Sequence, residues 1–218
     1  SAIKSGGTTR RAAKMVILDA DHPDIESYAN WKAEEEYKVA CLAAGSGLLR
    51  ARAAALAEAA RSGGNEAGVA GDEERFSFER NPELRREAKA ALRAGVPAPF
   101  LHQILSMFRQ GDYSAAESLT RYDTAWEGEA YNTVSGQSSN NSVRLDNAFM
   151  RAVQEDGDWE LVARTTGKVM KKMKARGLWD TIARAAWKCA DPGLQYHGTV
   201  NEWHTCPADG ENRGSNPC

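Results

Sequence analysis

The feature that most constrains the fold is the short apolar run Met15-Val16-Ile17-Leu18, which precedes the turn signal His22-Pro23-Asp24. A short apolar run bounded by turn residues reads as a buried strand. After the turn, Ile25, Tyr28 and Ala29 fall at i, i+3 and i+4, the stripe of a core-facing helix that runs past Trp31 to about Leu42. Strand, turn and helix in that order specify an α/β protein.

The middle of the chain changes character. Leu48 to Ala60 is rich in Ala and Arg, with high helix propensity and little bulk. Gly63 to Asp72 reads as a Gly-rich linker or surface loop. Asn81-Pro82-Glu83 carries a helix start, with an N-cap, a proline at the first position and an acid in the first turn. Gly95 sits where a C-terminal cap belongs, and a second helix carrying Phe100, Leu101, Ile104, Leu105 and Phe108 ends at Gly111. Residues 46–120 therefore read as a helical insertion.

From Tyr131 the α/β pattern returns. Asn140 to Leu145 reads as a short strand, although Asn140 and Asn141 could equally hold a turn or touch a ligand. Asp146 can cap the next helix, which has Phe149, Met150 and Val153 on one face. Trp159–Arg164 and Lys168–Lys171 form a hairpin with Thr166-Gly167 at its turn. Leu178, Ile182, Ala185, Ala186 and Cys189 form another helical stripe, stopped by Asp191-Pro192-Gly193. Leu194 to Cys218 shows no period and reads as an ordered loop region. Trp179, Trp187 and Trp203 are expected in core and loop packing.

Composition removes several function classes. A net charge of −2 gives no electrostatic case for nucleic acid or an anionic membrane. No apolar run approaches the ~18 residues that span a bilayer. Four scattered cysteines, Cys41, Cys189, Cys206 and Cys218, argue for a reducing cytoplasm over a disulfide framework. The spacing of His197, His204, Cys206 and Cys218 fits no standard zinc pattern, so no metal site is expected. Gly6-Gly7 lacks the third glycine and preceding strand of a dinucleotide fingerprint.

Three segments, in this order and spacing, resemble the catalytic chain of adenosylcobalamin-dependent (class II) ribonucleotide reductases. The first is Ser5-Gly6-Gly7-Thr8-Thr9-Arg10-Arg11-Ala12-Ala13-Lys14-Met15, continuing through Leu18-Asp19, His22-Pro23-Asp24-Ile25-Glu26 and Trp31-Lys32. The second is Val134-Ser135-Gly136-Gln137, Asn140-Asn141-Ser142-Val143-Arg144 and Phe149-Met150-Arg151-Ala152-Val153. The third is Ala190-Asp191-Pro192-Gly193, Asn201-Glu202-Trp203-His204-Thr205-Cys206-Pro207 and Ser215-Asn216-Pro217-Cys218. The Trp-His-Thr-Cys-Pro and Asn-Pro-Cys segments look closer to this class than to the iron-dependent class I enzymes.

The resemblance implies an α/β fold that is an incomplete part of the reductase barrel, with a helical insertion. It divides the chain into 1–45 (specificity loop, strand and helix), 46–120 (insertion) and 121–218 (barrel strands, helices and the approach to a finger loop). By the resemblance, Cys218 is the thiyl-radical cysteine that takes hydrogen from the ribose 3′ carbon. Asn216 is the amide that hydrogen-bonds the ribose hydroxyls. Gly6, Gly7, Thr8, Thr9, Arg10 and Arg11 form the loop that links a bound dNTP or ATP effector to the substrate base. Glycines can give such a loop more than one conformation, and arginines can pair with phosphate or stack on a base.

Adenosylcobalamin is the implied cofactor. The implied partners are a ribonucleotide, a dNTP or ATP effector, a thioredoxin-type or dithiol reductant, the remaining parts of the reductase chain, and a second copy in a homodimer of the full enzyme. In this family a glutamate follows two residues past the cysteine and acts as general base, and a redox cysteine pair flanks this region; neither is in this sequence. The chain is therefore expected to act as a piece of a larger or split enzyme, inactive and poorly stable by itself. The alternative reading is a non-catalytic, effector-binding fragment.

Overall fold

The computed structural model describes residues 14–62, 72–125 and 127–215. In chain order the elements are β1 (Lys14–Asp19), α1 (Ile25–Ser62), α2 (Asp72–Arg75), α3 (Pro82–Arg93), α4 (Ala98–Arg109), α5 (Ala115–Ser118) and α6 (Glu129–Asn132). They continue with β2 (Ser139–Leu145), α7 (Asn147–Gln154), β3 (Asp158–Val162), β4 (Val169–Lys174), α8 (Ala175–Cys189), β5 (Gly193–Tyr196) and α9 (His197–Glu202). The chain divides into two compact units, one of residues 1–38 with 134–218 and the other of residues 39–133.

The first unit is built on an open, all-parallel sheet in the order β1-β2-β5. The outer edges of β1 and β5 carry no further strand among the described residues, so the α/β expectation of an unclosed barrel segment holds. Side chains alternate across a strand. Val143 and Leu145 of β2 are fully buried with Ile25, Ala29, Phe149, Val153, Leu178 and Ile182, so α1, α7 and α8 cover one face. The predicted cap is present, with Asp146 accepting from Phe149 N at 2.7 Å. The predicted hairpin forms as β3 and β4, with Gly167 at φ +66° in its turn. Trp159 of that hairpin meets Phe149 edge-on at 5.0 Å and donates to Ala20 O at 3.0 Å.

Two side chains of α1 tie the strands together. The Tyr28 hydroxyl donates to Val16 O at 2.6 Å and accepts from Ser142 N at 3.1 Å. Lys32 Nζ donates to Ser139 O at 2.6 Å and to Asp191 Oδ2 at 2.7 Å, joining α1 to the start of β2 and the turn before β5. Glu35 is buried, accepts from Ser135 N at 2.8 Å and pairs with Lys38; these partners, Lys38 first, hold its carboxyl below the usual range.

The second unit is helical. Ala53, Leu56, Ala57, Ala59 and Ala60 of α1 pack against Leu84, Ala88 and Ala91 of α3 and Leu101, Ile104 and Phe108 of α4. Asn81 caps α3 as expected, accepting from Leu84 N at 2.9 Å and donating to Ala59 O and Arg75 O. Gly95 and Gly111 take φ of +89° and +85° after α3 and α4.

Two expectations are corrected. α1 does not stop near Leu42 but runs unbroken to Ser62, because no proline interrupts it and Gly45 and Gly47 are accommodated within it. An 18-residue window of this helix reaches a mean hydropathy of 1.3, so one helix among the described residues is long and apolar enough by composition to cross a membrane; its Ile25, Ala29, Ala53, Leu56, Ala57, Ala59 and Ala60 are buried in the cores described above. The stretch after Leu194 is also more regular than a loop, since it holds most of β5 and all of α9. Both are too short to show a period, and β5 depends on pairing with β2.

Lys32→Met should destabilise the chain by about 3–5 kcal/mol, because it strands a buried Asp191 carboxylate; denaturant unfolding measures this. Burial pushes the Tyr28 phenol up to about 12 from 10.0. A raised folded-state value means its stabilisation is fully present below about pH 10 and lost as pH rises through about 12. The stability difference between wild type and Tyr28→Phe should thus stay constant below about pH 10, shrink as pH rises to about 12 and level off above it.

Candidate functional site

The face of the sheet opposite the helices carries Met15, Ile17 and Asp19 from β1, Asn140, Ser142 and Arg144 from β2, and Gly193 and Gln195 from β5. Register places Asp19, Arg144 and Gln195 in one row at the carboxyl ends of the strands. Ligands in α/β folds gather at this end. A cleft of about 210 Å³ opens here, lined by residues that include Asp19, Asp21, Arg144, Trp159, His197 and Arg213.

Charge is concentrated in this row. Arg144 Nε donates to Asp19 Oδ1 at 2.5 Å, and its Nη2 meets the same oxygen. Arg164 reaches across from the hairpin to both Asp19 and Asp21. Its hydrogen bonds are the main reason the Asp21 carboxyl is held below the usual carboxylate range. Each aspartate is thus paired with an arginine, which orients the two guanidinium groups along the rim.

Gln195 is the exception in the row. It is 7% exposed, yet neither its Nε2 nor its Oε1 has a partner among the described residues. A buried carboxamide left unpaired costs about 1–3 kcal/mol.

A segment of chain crosses this face. Asn201 of α9 donates to Asn212 O at 3.1 Å and accepts from Asn212 N at 2.7 Å, a two-bond clamp. Arg144 Nη1 then donates to Arg213 O at 2.9 Å. Gly214 lies so close to β1 that a Cβ there would stand 2.2 Å from Ile17 Cδ1. The residues at 212–214 are thus held across the open face, and Asn216-Pro217-Cys218 follow in sequence.

The residues expected from the sequence to carry the site, Gly6, Gly7, Thr8, Thr9, Arg10, Arg11, Asn216 and Cys218, lie outside the described residues. β1 begins at Lys14, with Ala12 and Ala13 between it and Arg11 in sequence. Asn140 and Asn141 sit in β2 rather than in a turn, and the buried Asn141 accepts from Ser139 Oγ at 2.6 Å. Asp19, Arg164, Gln195 and Asn201 line or clamp the site, although the sequence marks none of them as a site residue. Their signal was pairing between distant strands, which a single sequence does not display. Trp187 and Trp203 are 87% and 80% exposed, against the expected packing, while Trp179 does pack on the core. Cys189 ends α8 with its thiol against Ala185 O and Asp191 O, and burial pushes its pKa up. Cys41 and Cys206 are exposed.

The sequence matches the family described as ribonucleotide reductase, barrel domain, over residues 1–218. A vitamin B12-dependent ribonucleotide reductase of Agrobacterium fabrum is 51% identical over 217 residues, covering 100% of this chain and 16% of that protein. The protein of the same name from Bradyrhizobium diazoefficiens is 52% identical over 217 residues, covering 100% of this chain and 17% of its own length. That of Streptomyces avermitilis is 35% identical over 216 residues, covering 99% of this chain and 15% of its own. The chain thus spans about a sixth of the length of these relatives.

Asn201→Ala removes both clamp bonds. It should speed amide hydrogen exchange at Asn212 and Arg213 while leaving exchange in α7 unchanged, as each bond contributes about 1 kcal/mol. Equal protection at Asn212 in both proteins would mean the clamp does not hold the segment.

Proposed function

This chain belongs to the ribonucleotide reductase barrel-domain family, and we propose that it works as part of a larger catalytic chain that reduces ribonucleotides to 2′-deoxyribonucleotides with adenosylcobalamin. The observation that carries this reading is the polar inner face at the strand ends, crossed by a clamped segment that leads in sequence to Asn216-Pro217-Cys218. Strong identity to vitamin B12-dependent reductases supports it.

In this reading Cys218 acts as a thiyl radical. It abstracts the hydrogen atom from the ribose 3′ carbon, forming an S–H bond and leaving the unpaired electron on carbon. Asn216 orients the ribose hydroxyls, because an amide donates and accepts at once. Gly6, Gly7, Thr8, Thr9, Arg10 and Arg11 form the loop through which a dNTP or ATP effector selects the base, two loop arrangements biased by one ligand. Within the chain, 1–45 supplies that loop with its strand and helix, 46–120 the helical insertion, and 121–218 the barrel elements and the approach to the radical cysteine.

Adenosylcobalamin supplies the radical chemistry when bound. The described residues do not fit it. The cleft described above, about 210 Å³, lies below the roughly 300–1,000 Å³ of small-molecule pockets, and a corrin ring is larger than a drug-sized ligand. The corrin seat is therefore assigned to other parts of the reductase, which also supply the external-reductant exchange and the partner surface of a homodimer.

The test is a reductase reconstituted with the flanking parts, assayed for ribonucleotide reduction with adenosylcobalamin and a dithiol. Cys218→Ser should abolish turnover, with loss of at least about 1,000-fold, and leave ribonucleotide binding in place. Equal activity in both proteins would overturn the assignment.

A further inference from the structure

Arg144 has a use that the pairing of β1 with β2 does not require. Its guanidinium spans two elements. One side binds Asp19 through Nε and Nη2, and the other donates Nη1 to the carbonyl of Arg213. An arginine can do this because its planar fork presents several donors in fixed directions. The Asp19 end is held in turn, since Arg164 occupies the second carboxylate oxygen at 3.3 Å. The fork therefore has one orientation, and the acceptor it offers a place to is the backbone of Arg213.

The neighbouring contacts fix the same stretch from two other sides. Asn201 clamps Asn212, and Gly214 rests on Ile17, which lies on the same face of β1 as Asp19. Arg144 is the contact in the middle. The Arg144 side chain is mostly covered, at 15% exposed, and its bond to Asp19 is part-buried, while its bond to Arg213 O lies at the surface.

We infer that Arg144 is a positioning residue for the reaction assigned to Cys218, acting through the backbone of Arg213 on the residues that follow it. The inference rests on the proposed function above. It assigns Arg144 no contact with the reacting atoms. Small errors in placing a reacting group are costly, about 100-fold for a misplacement near 1 Å, so losing one of three fixing contacts should be felt in turnover.

The experiment uses the complete reductase containing this segment, comparing wild type, Arg144→Gln, Arg144→Lys and Cys218→Ser. Arg144→Gln should lower kcat by about 100-fold, with KM for the ribonucleotide changed by no more than roughly twofold. Amide exchange at Gly214 and Ser215 should speed up while Val143 and Leu145 keep their protection. Arg144→Lys, which can reach one acceptor at a time, should fall between the two in both readouts. A kcat for Arg144→Gln within roughly twofold of wild type would overturn the inference. So would a joint loss of kcat and of protection at Val143 and Leu145, which marks a purely structural role. Cys218→Ser separates the levels. Its retention of activity overturns the proposed function, whereas an inactive Cys218→Ser beside a fully active Arg144→Gln overturns the positioning role alone.

Discussion

The backbone of β2 is hydrogen-bonded along both edges, to β1 and to β5, and the parallel pairing on both sides is what the sheet unit depends on. Parallel strands cannot be joined by a tight turn, so each partner arrives by a long crossover. β1 and β2 are separated by α1 and the whole helical unit. Local sequence cannot enforce such a pairing. It is enforced by tertiary bonds, above all Lys32 to Ser139 O and Asp191, and Tyr28 to the strand backbones. These put charge and hydroxyl groups where the ladders begin and fix register against a one-residue slip, which would turn the apolar face of β2 outward.

A correct register gives the sheet two unlike faces. Val143 and Leu145 meet the helices in a dry core. Ser142, Arg144 and Gln195 look the other way, with Asp19 beside them. A parallel sheet is ordinarily covered on both sides. Here the second face is polar, carries a charged row at the strand ends and is crossed by a clamped segment of chain. That division of labour suits a barrel wall, with packing outside and chemistry inside.

Much of this was legible in the sequence, where the signal was local. Asn81 and Asp146 announced their helices as caps. The Thr166-Gly167 turn announced its hairpin, and the apolar run at Met15–Leu18 announced β1. The unbroken course of α1 was not legible, because Gly45 and Gly47 resemble an interruption although the helix runs through both. β5 and α9 were hidden by their shortness. In the candidate site, the Asn-Pro-Cys triplet and the glycine-arginine loop could be named by resemblance. Arg144 lies in a resembling segment without a role assigned to it, and Arg164 and Gln195 lie in none, since their significance comes from which elements lie beside each other. The exposed Trp187 and Trp203 show the same limit, as aromatic character alone does not say what covers a side chain.

In the proposed function, the open face of this sheet presents the residues after Arg213 to a ribonucleotide. A structure of the complete reductase with a ribonucleotide bound tests it most directly. The sulfur of Cys218 should lie within about 3.5 Å of the ribose 3′ carbon, with the Arg213 carbonyl still held by Arg144. A ribose seated on another surface, out of reach of Cys218, would contradict it.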